Sequence, residues 1–383
     1  MQFAVTYLMD QLVPSETFIK RELEQLRRRN WPIYSRFLKG GRSQLHFRFF
    51  SCPEGFRVRF IKAAFARISE EIFRSPVVSL RIIKRLPQVA CLIRKMVDTD
   101  TKVIHSQFAG ITADLAGIAA STLGINWTCS IHANDIYCTP VGLIKRRLRS
   151  ATGIAACSQQ VADATAAAGI PKARIRLIHH GLPLNDFRIN TIRLEEFIFT
   201  ACRLTEKKGI DTLLRAYAIL LERGIKVPCI IAGTGPELPK LKKLCSALNL
   251  GGCVFIKGWQ SEEETRSHIR NAILTVLPSR CTKSGDRDGI ANILVESLAL
   301  GTPVITTTAS AAPEFIQNGK NGILIEPDNH LALADAIEKT LKSKSLRELL
   351  IKNGRKTAES VFDGASNIHK LEALFADAVV TPL

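Results

Sequence analysis

Apolar runs of strand length alternate, almost from end to end of this chain, with stretches whose apolar residues return every three or four positions. That alternation restricts the chain to parallel sheets covered by helices. Phe3–Leu8, Val103–His105, Thr128–Ile131, Gly153–Ala156 and Ile175–Ile178 read as strands of the first half. Phe197–Ala201, Cys229–Ala232, Val254–Lys257, Leu274–Leu277, Val304–Thr306 and Gly322–Ile325 read as strands of the second. Between the latter lie amphipathic helices: in GIDTLLRAYAILLERG, Ile210, Leu213, Leu214, Tyr217, Leu220 and Leu221 share one face, and Gly224 supplies a C-terminal stop.

At 383 residues the chain exceeds what one core usually organises, so two domains are expected, with a cleft between them. Periodicity lapses in GLPLNDFRINTIR, which places the join near residue 188 and divides the chain into 1–188 and 189–383. In FDGASNIHKLEALF, Ile368, Leu371, Leu374 and Phe375 fall on one side. The last helix, about 367–380, is therefore expected to cross back onto the first domain.

The balance of 53 Lys+Arg against 35 Asp+Glu, a formal net charge of +18, attracts polyanions: nucleic acid, an anionic membrane face or phosphorylated substrates. Residues 36–100 interleave Arg and Lys with Phe, Ile and Leu (LHFRFF, FRVRFIKAAFARI, SLRIIKRLPQVACLIRKM) and read as basic amphipathic helices. Such helices either pack one face on a sheet with solvated charges opposite, or dock on an anionic bilayer. No stretch reaches the ~18–20 uninterrupted apolar residues of a membrane span. The opening MQFAVTYLMD reads as a strand rather than a secretory leader. The ten cysteines form no C-x-x-C pair, which argues against a zinc or disulfide framework, and Cys157 and Cys229 lie in apolar runs as small buried hydrophobes. These features together predict a cytoplasmic protein, peripheral at the inner face of the membrane.

The most informative window is LPSRCTKSGDRDGIANILVESLALGTPVIT, residues 277–306. A strand ends at Pro278, a polar loop follows, and a helix runs from about Ala291 to Leu300. Asp288 and Gly289 precede the helix start, whose free N–H groups and positive dipole end make an anion site suited to phosphate. Seven residues separate Asp288 from Glu296, so one carboxylate lies at the helix mouth and the other about two turns along. An acidic pair at this spacing, taken alone, also fits a solvated helix face.

This window resembles the E-x7-E signature of the retaining glycosyltransferase family 4, in the exopolysaccharide and colanic-acid-type subgroup that carries G-D-R-D-G. Further resemblances come in order along the chain: VTYLMDQLVPSETFIKRELEQL, IHANDIY, ACRLTEKKGIDTLLRAYAIL, IIAGTGPE, FIKGW and APEFIQNGKNGILIEPDN. The resemblance implies an α/β GT-B fold, with two Rossmann-like domains facing across a cleft, an N-terminal acceptor domain and a C-terminal nucleotide-sugar domain. It implies a metal-independent, retaining, hexosyltransferase-type enzyme that needs no cofactor. Arg203 and Lys208, in R-L-x-x-x-K-G, are the implied cations for the donor diphosphate, Arg by a forked contact and Lys as a point charge. Glu296 is implied to accept hydrogen bonds from the ribose, and Asp288 to contact the donor sugar. The backbone at Gly289, Ile290, Ala291 and Asn292 is implied to approach the phosphates or the sugar, with Ala291 departing from the residue types usual there.

His132, in IHANDIY, matches the family histidine that lines the reaction centre, with the role of orienting and polarising the sugar rather than attacking it. Asp135 is implied to hold that loop or bind acceptor. Ser15, Glu16 and Thr17 begin a helix after Pro14, with Ser15 in the N-cap position and acceptor contact as the bolder role. Two departures stand out. Gln107 replaces the second histidine of an H-x-H-F pattern at His105–Phe108, so no catalysis is assigned there. His179-His180-Gly181 replaces the common N-G turn and reads as a loop feature rather than a metal site.

Rival readings remain. Asp286-Arg287-Asp288 spells the D-x-D of metal-dependent GT-A transferases, where it binds a divalent ion to the diphosphate. A basic nucleic-acid binder would show steep salt dependence and no sugar transfer. The chain lacks a recognised nucleic-acid module, and nucleic acid is not expected as a partner. A non-transferring nucleotide-sugar binder or an epimerase could share the architecture. The resemblance favours transfer from a nucleotide-sugar to a carbohydrate, lipid-linked acceptor in bacterial surface-polysaccharide synthesis, beside an anionic membrane surface.

Overall fold

A computed structural model describes residues 3–10, 16–38, 52–189 and 196–382. The chain forms two compact units: Met1–His180 with Ala365–Leu383, and Gly181–Gly364.

In chain order the first unit contains β1 (Ala4–Met9), α1 (Thr17–Arg28), β2 (Ile33–Phe37), α2 (Arg57–Ile72), α3 (Pro76–Asp98), β3 (Thr101–Gln107), α4 (Ile111–Leu123), β4 (Asn126–Ile131), α5 (Ala133–Tyr137), α6 (Val141–Leu148), β5 (Gly153–Ala156), α7 (Gln159–Ala167) and β6 (Ile175–Leu177). The strands form one sheet, in the order β2-β1-β3-β4-β5-β6. Each pairing is parallel. The period-two alternation of β1 sends Val5, Tyr7 and Met9 to one side with Ile19, Leu23 and Leu26 of α1, while Leu8 joins Ile104, Ile93 and Leu115 on the other.

The second unit comprises β7 (Ile198–Ala201), α8 (Ile210–Glu222), β8 (Cys229–Ala232), α9 (Leu238–Ala247), β9 (Val254–Gly258), α10 (Glu262–Asn271), β10 (Leu274–Leu277), α11 (Asn292–Leu300), β11 (Val304–Thr307), β12 (Ile323–Ile325), α12 (His330–Lys342) and α13 (Lys344–Val361). Its sheet, also parallel, runs β12-β11-β10-β7-β8-β9. Ile210, Leu213, Leu214, Tyr217 and Leu220 are the buried stripe of α8, and Leu221 packs at its margin.

The last helix, α14 (Gly364–Val380), belongs to the first unit from Ala365 onward. Ile368, Leu371, Leu374 and Phe375 pack with Val5, Tyr7 and Met9. The approach is so close that a Cβ on Gly153 would lie 2.6 Å from Leu374 Cδ1.

The seam falls at His180/Gly181, ahead of residue 188. The reason is local: Leu182 donates its N–H to Phe362 O at 2.8 Å, and Phe187 is fully buried in the second core, so GLPLNDF packs as part of the second unit. One strand escaped the sequence reading. WPIYSRF has no apolar run, and β2 forms at the sheet edge, where half-buried side chains suffice. The start of α1 also differs, since Glu16 takes the N-cap position without a side-chain cap and Thr17 opens the helix. Ser15 lies outside the described residues, as does LHFRFF.

The basic helices α2 and α3 pack inward, and α2 does so through buried ion pairs. Arg67 pairs with Glu71 at 2.8 Å and Asp114 at 2.6 Å, Arg146 with Glu71 at 2.6 Å, and Arg147 with Asp114 at 3.0 Å, a buried network that pins α2 and α6 onto α4. The outer side is apolar as well as basic. Val58, Ile61, Phe65, Phe73, Val77 and Leu80 are exposed, Phe73 at 94%, among exposed Arg57, Arg59, Lys62, Arg74, Arg81 and Lys84.

Both sheets start on an interior strand and reverse direction. In an open parallel sheet, the crevice where the order reverses lies at the carboxyl ends of the two diverging strands. These are β1 and β3 in the first unit, and β7 and β10 in the second.

Candidate functional site

In the second unit the loops that leave β7 and β10 are interlocked. Gly209 has φ +63°, and a Cβ there would fall 1.9 Å from Pro278 O, so only glycine permits the turn into α8 at this separation. Arg280 N donates to Lys207 O at 2.8 Å, and Thr307 Oγ1 donates to Ser279 O. The loop after β8 joins them: Leu204 N donates to Thr234 O at 2.8 Å, and a Cβ on Gly235 would meet Leu204 O at 2.3 Å. These contacts place side chains far apart in sequence on one rigid floor.

Lys208 and Asp288 meet on that floor. Lys208 Nζ is 2.7 Å from Asp288 Oδ2, which also accepts from Ser279 Oγ at 2.8 Å. Lys207 adds a second cation, 2.8 Å from Asp286 Oδ1 and 3.8 Å from Asp288 Oδ1. Burial by itself would raise the Asp288 pKa, but Lys208, Lys207 and the Ser279 bond outweigh it and hold the carboxyl below its usual value. Lys208 responds in kind: burial would lower its pKa, and Asp288 raises it above the ordinary lysine value. Both groups are thus charged at neutral pH.

Asp288 leads directly into α11. Ala291 is its N-cap with no side-chain cap, no acidic residue occupies the first turn, and the preceding Gly289 and Ile290 are half-buried. This helix therefore begins directly after the loop that carries Asp288, and a helix start beside Lys208 is an arrangement that attracts an anion. Glu296 lies on the second turn, 6% exposed, on a helix otherwise buried on nearly every side. Arg203, exposed on the loop after β7, is close enough for its charge to act on Lys208. The structure therefore brings Arg203, Lys208, Asp288 and residues 289–292 to one strand-end crevice, with Glu296 on the helix that leaves it. Sequence reasoning missed Lys207 and Ser279, although the K-K doublet and the serine directly after Pro278 were visible.

Asp286 and Asp288 each face a lysine ammonium. This is a poor donor set for a divalent ion, because two cations already neutralise the carboxylates.

In the first unit His132 follows β4 and is the N-cap of α5. The carboxylate of Asp135 accepts the His132 backbone N–H at 3.0 Å and so holds the loop. Burial pushes the Asp135 pKa up to about 7 and that of His132 down to about 4. His132 is thus neutral at physiological pH. Among the described residues its buried Nε2 has no hydrogen-bond partner. Phe18, Phe108 and His180 surround the ring at centroid distances of 5.3, 4.6 and 5.1 Å. Phe108, at the end of β3, has φ +72°, a strained value for a non-glycine residue beside the reversal of strand order. These three neighbours were not foreseen, because nothing in their spacing relates them to His132. Glu16 and Thr17 are half-buried at the start of α1.

His105 is structural. It is fully buried, its nitrogens lie 2.8 Å from Thr128 Oγ1 and 3.0 Å from Ser130 Oγ, and burial lowers its pKa to about 3. Gln107 donates to Glu22 at 2.7 Å.

Comparison with known proteins covers both units. The family described as Glycosyltransferase Family 4 matches residues 16–186, and that described as Glycosyl transferases group 1 matches residues 185–357. The chain is 30% identical over 172 residues to the putative colanic acid biosynthesis glycosyltransferase WcaL of Escherichia coli, covering 44% of this chain and 42% of that one. It is also 30% identical over 171 residues to the amylovoran biosynthesis glycosyltransferase AmsK of Erwinia amylovora, with the same coverage of 44% and 42%. The matches thus span about two-fifths of each of these relatives. Among solved structures, Anabaena HepE in complex with UDP-glucose superposes with a TM-score of 0.75 at 16% identity, covering 98% of this chain and 100% of that one. The two parallel-sheet units are those of the GT-B fold.

Proposed function

The chain belongs to glycosyltransferase family 4, in the exopolysaccharide-type subgroup, and on that premise we propose that it transfers a sugar from a nucleotide-sugar donor to a carbohydrate acceptor in bacterial surface-polysaccharide synthesis. The observation that carries this reading is the convergence of Lys208, Asp288 and the N-terminus of α11 at the β7/β10 strand ends. A diphosphate there would be met by the N–H groups of Gly289, Ile290, Ala291 and Asn292, by the Arg203 fork and by the Lys208 ammonium. Binding would divide Lys208 between Asp288 and the phosphate, leaving Asp288 free to accept a hydrogen bond from the donor sugar. Glu296 would accept from the ribose hydroxyls. The neutral His132, whose Nε2 has no partner among the described residues, would hydrogen-bond and orient the transferred sugar.

As the sugar–phosphate bond breaks, negative charge grows on the departing phosphate oxygen, where the cations and the helix end stabilise it. The same oxygen can take the acceptor hydroxyl's proton on the face where the new bond forms, which gives retention of anomeric configuration. The lysine-paired carboxylates favour chemistry without a divalent ion. The exposed apolar and basic side of α2 and α3 supports a lipid-linked acceptor at an anionic membrane face, with the protein peripheral on the cytoplasmic side.

A thermal-shift panel of UDP-, GDP- and ADP-sugars on the wild type and Glu296→Ala tests the donor site. One nucleotide class should stabilise the wild type and not the variant; equal shifts in both would remove the proposed site. Product analysis with the stabilising donor must then show two sugars joined, since an epimerase returns one.

A further inference from the structure

His132, Cys157 and His180 follow three neighbouring strands of the first sheet, β4, β5 and β6. Sequence spacing relates none of them. The ladder does: Cys157 N donates to Ile131 O at 3.4 Å, and Ile178 N donates to Ala156 O at 2.9 Å, so the three strand ends are held in step. One candidate ligand atom from each residue falls within 4.8 Å of the others. His132 is 8% and Cys157 6% exposed, while His180 is half-buried and supplies a way in.

The two imidazoles do not make a good hydrogen bond to each other. His180 Nε2 and His132 Nδ1 are 3.4 Å apart, long for such a bond. That spacing is close to the edge of a tetrahedral zinc shell, where Zn–N bonds of about 2.0–2.1 Å put two nitrogens about 3.3 Å apart.

We propose that His132, His180 and Cys157 form a site for a soft divalent ion of the Zn2+ type, with two nitrogens, one sulfur and a fourth position open to water. The ligand atoms lie within 4.8 Å of one another, so reaching the roughly 3.5 Å nitrogen–sulfur edge of a tetrahedral zinc shell takes a movement of about 1 Å. Binding releases the Cys157 thiol proton to solvent, because the thiolate is the ligand. The site differs in kind from the diphosphate-bound hard cation of D-x-D enzymes, which takes oxygen ligands. Its consequence rests on the function proposed above: an ion on Nδ1 fixes the His132 ring and leaves its proton on Nε2, the atom assigned to the sugar, so Zn2+ alters the rate of transfer and a chelator reverses the change.

The binding test does not depend on activity. The full chain, reduced and stripped of metal, is titrated with Co2+, which should give tetrahedral d–d bands and a thiolate-to-cobalt charge-transfer band. Cys157→Ala should abolish the charge-transfer band, and Cys245→Ala should leave it. Since loss of even an outer partner of a metal ligand costs about 10–100-fold, His180→Asn should weaken binding by at least about tenfold. A charge-transfer band that survives Cys157→Ala, or equal affinity in His180→Asn, overturns the site. Should either variant misfold, zinc-edge X-ray absorption on the unsubstituted protein decides: one sulfur with nitrogen neighbours supports the proposal, and no sulfur or several overturns it. A chain that binds Co2+ as described but transfers no sugar would overturn the proposed function and leave the metal site standing.

Discussion

Lys208 Nζ and Asp288 Oδ2, eighty residues apart, lie 2.7 Å from each other and tie the loop after β7 to the loop after β10. The pair is mostly buried, with side-chain exposures of 15% and 7%. A buried pair adds little net stability, but losing one partner strands the other charge. Lys208→Ala should therefore destabilise the protein by about 3–5 kcal/mol in denaturant titration, as well as abolish donor binding. A loss within experimental error would mean that Asp288 does not depend on Lys208.

Arg203 separates binding from folding. Its side chain is exposed, so Arg203→Ala should change stability by no more than about 0.5 kcal/mol. Removal of one charged hydrogen-bonding group should still weaken nucleotide-sugar affinity by about tenfold or more. Calorimetry showing unchanged affinity would exclude Arg203 from the diphosphate site.

Gly209 forms the turn that lets the Lys208 loop approach Pro278. Gly209→Ala introduces a Cβ 1.9 Å from a carbonyl oxygen at φ +63°, and should cost at least about 2 kcal/mol while displacing Lys208. Gly251→Ala, whose Cβ would meet nothing within 4 Å, is the control. Equal melting temperatures for the two variants would contradict the packing described.

Glu22 predicts a pH dependence. Burial pushes its pKa from 4.5 to about 7, against the lowering effect of hydrogen bonds from Tyr7 and Gln107. The folded chain thus keeps a proton that the unfolded chain releases near pH 4.5. Its stabilising contribution is full below that pH and is lost as pH rises through about 7. Buried histidines act in the opposite sense, losing stability as pH falls below about 6.5, but equally in wild type and variant. The difference in melting temperature between wild type and Glu22→Gln should therefore shift against the wild type from pH 5 to pH 8. A difference that does not change with pH would refute the raised pKa.

Phe73, 94% exposed between α2 and α3, tests the membrane proposal. If it inserts into the interface, Phe73→Asp should lower co-sedimentation with anionic vesicles by about tenfold, from the loss of ~1.5–3 kcal/mol of apolar burial. Nucleotide-sugar binding should be unaffected. Equal sedimentation of both proteins would remove this side from the membrane contact.

Much of the architecture was legible in the residues. Gly153–Ala156, Cys229–Ala232 and Leu274–Leu277 are strands with the ends read from sequence, because a strand buried on both faces of a parallel sheet is a continuous apolar run. The stripe of α14 was equally plain. β2 was not, because an edge strand can be short and half-polar, and the seam was displaced because GLPLNDF looks like a linker yet buries Phe187.

The sequence alone determined the alternation of strands and helices apart from β2, the helix start after Gly289 and the family motifs, since these depend on neighbours within a turn or two of chain. Only the tertiary structure decided that Lys207 and Lys208 neutralise Asp286 and Asp288, that Asp135 holds the His132 loop, and that His180 and Cys157 lie beside His132. Those relationships come from which strands lie side by side and in what register. Hydrogen bonding between distant segments sets both, and local periodicity carries no record of it.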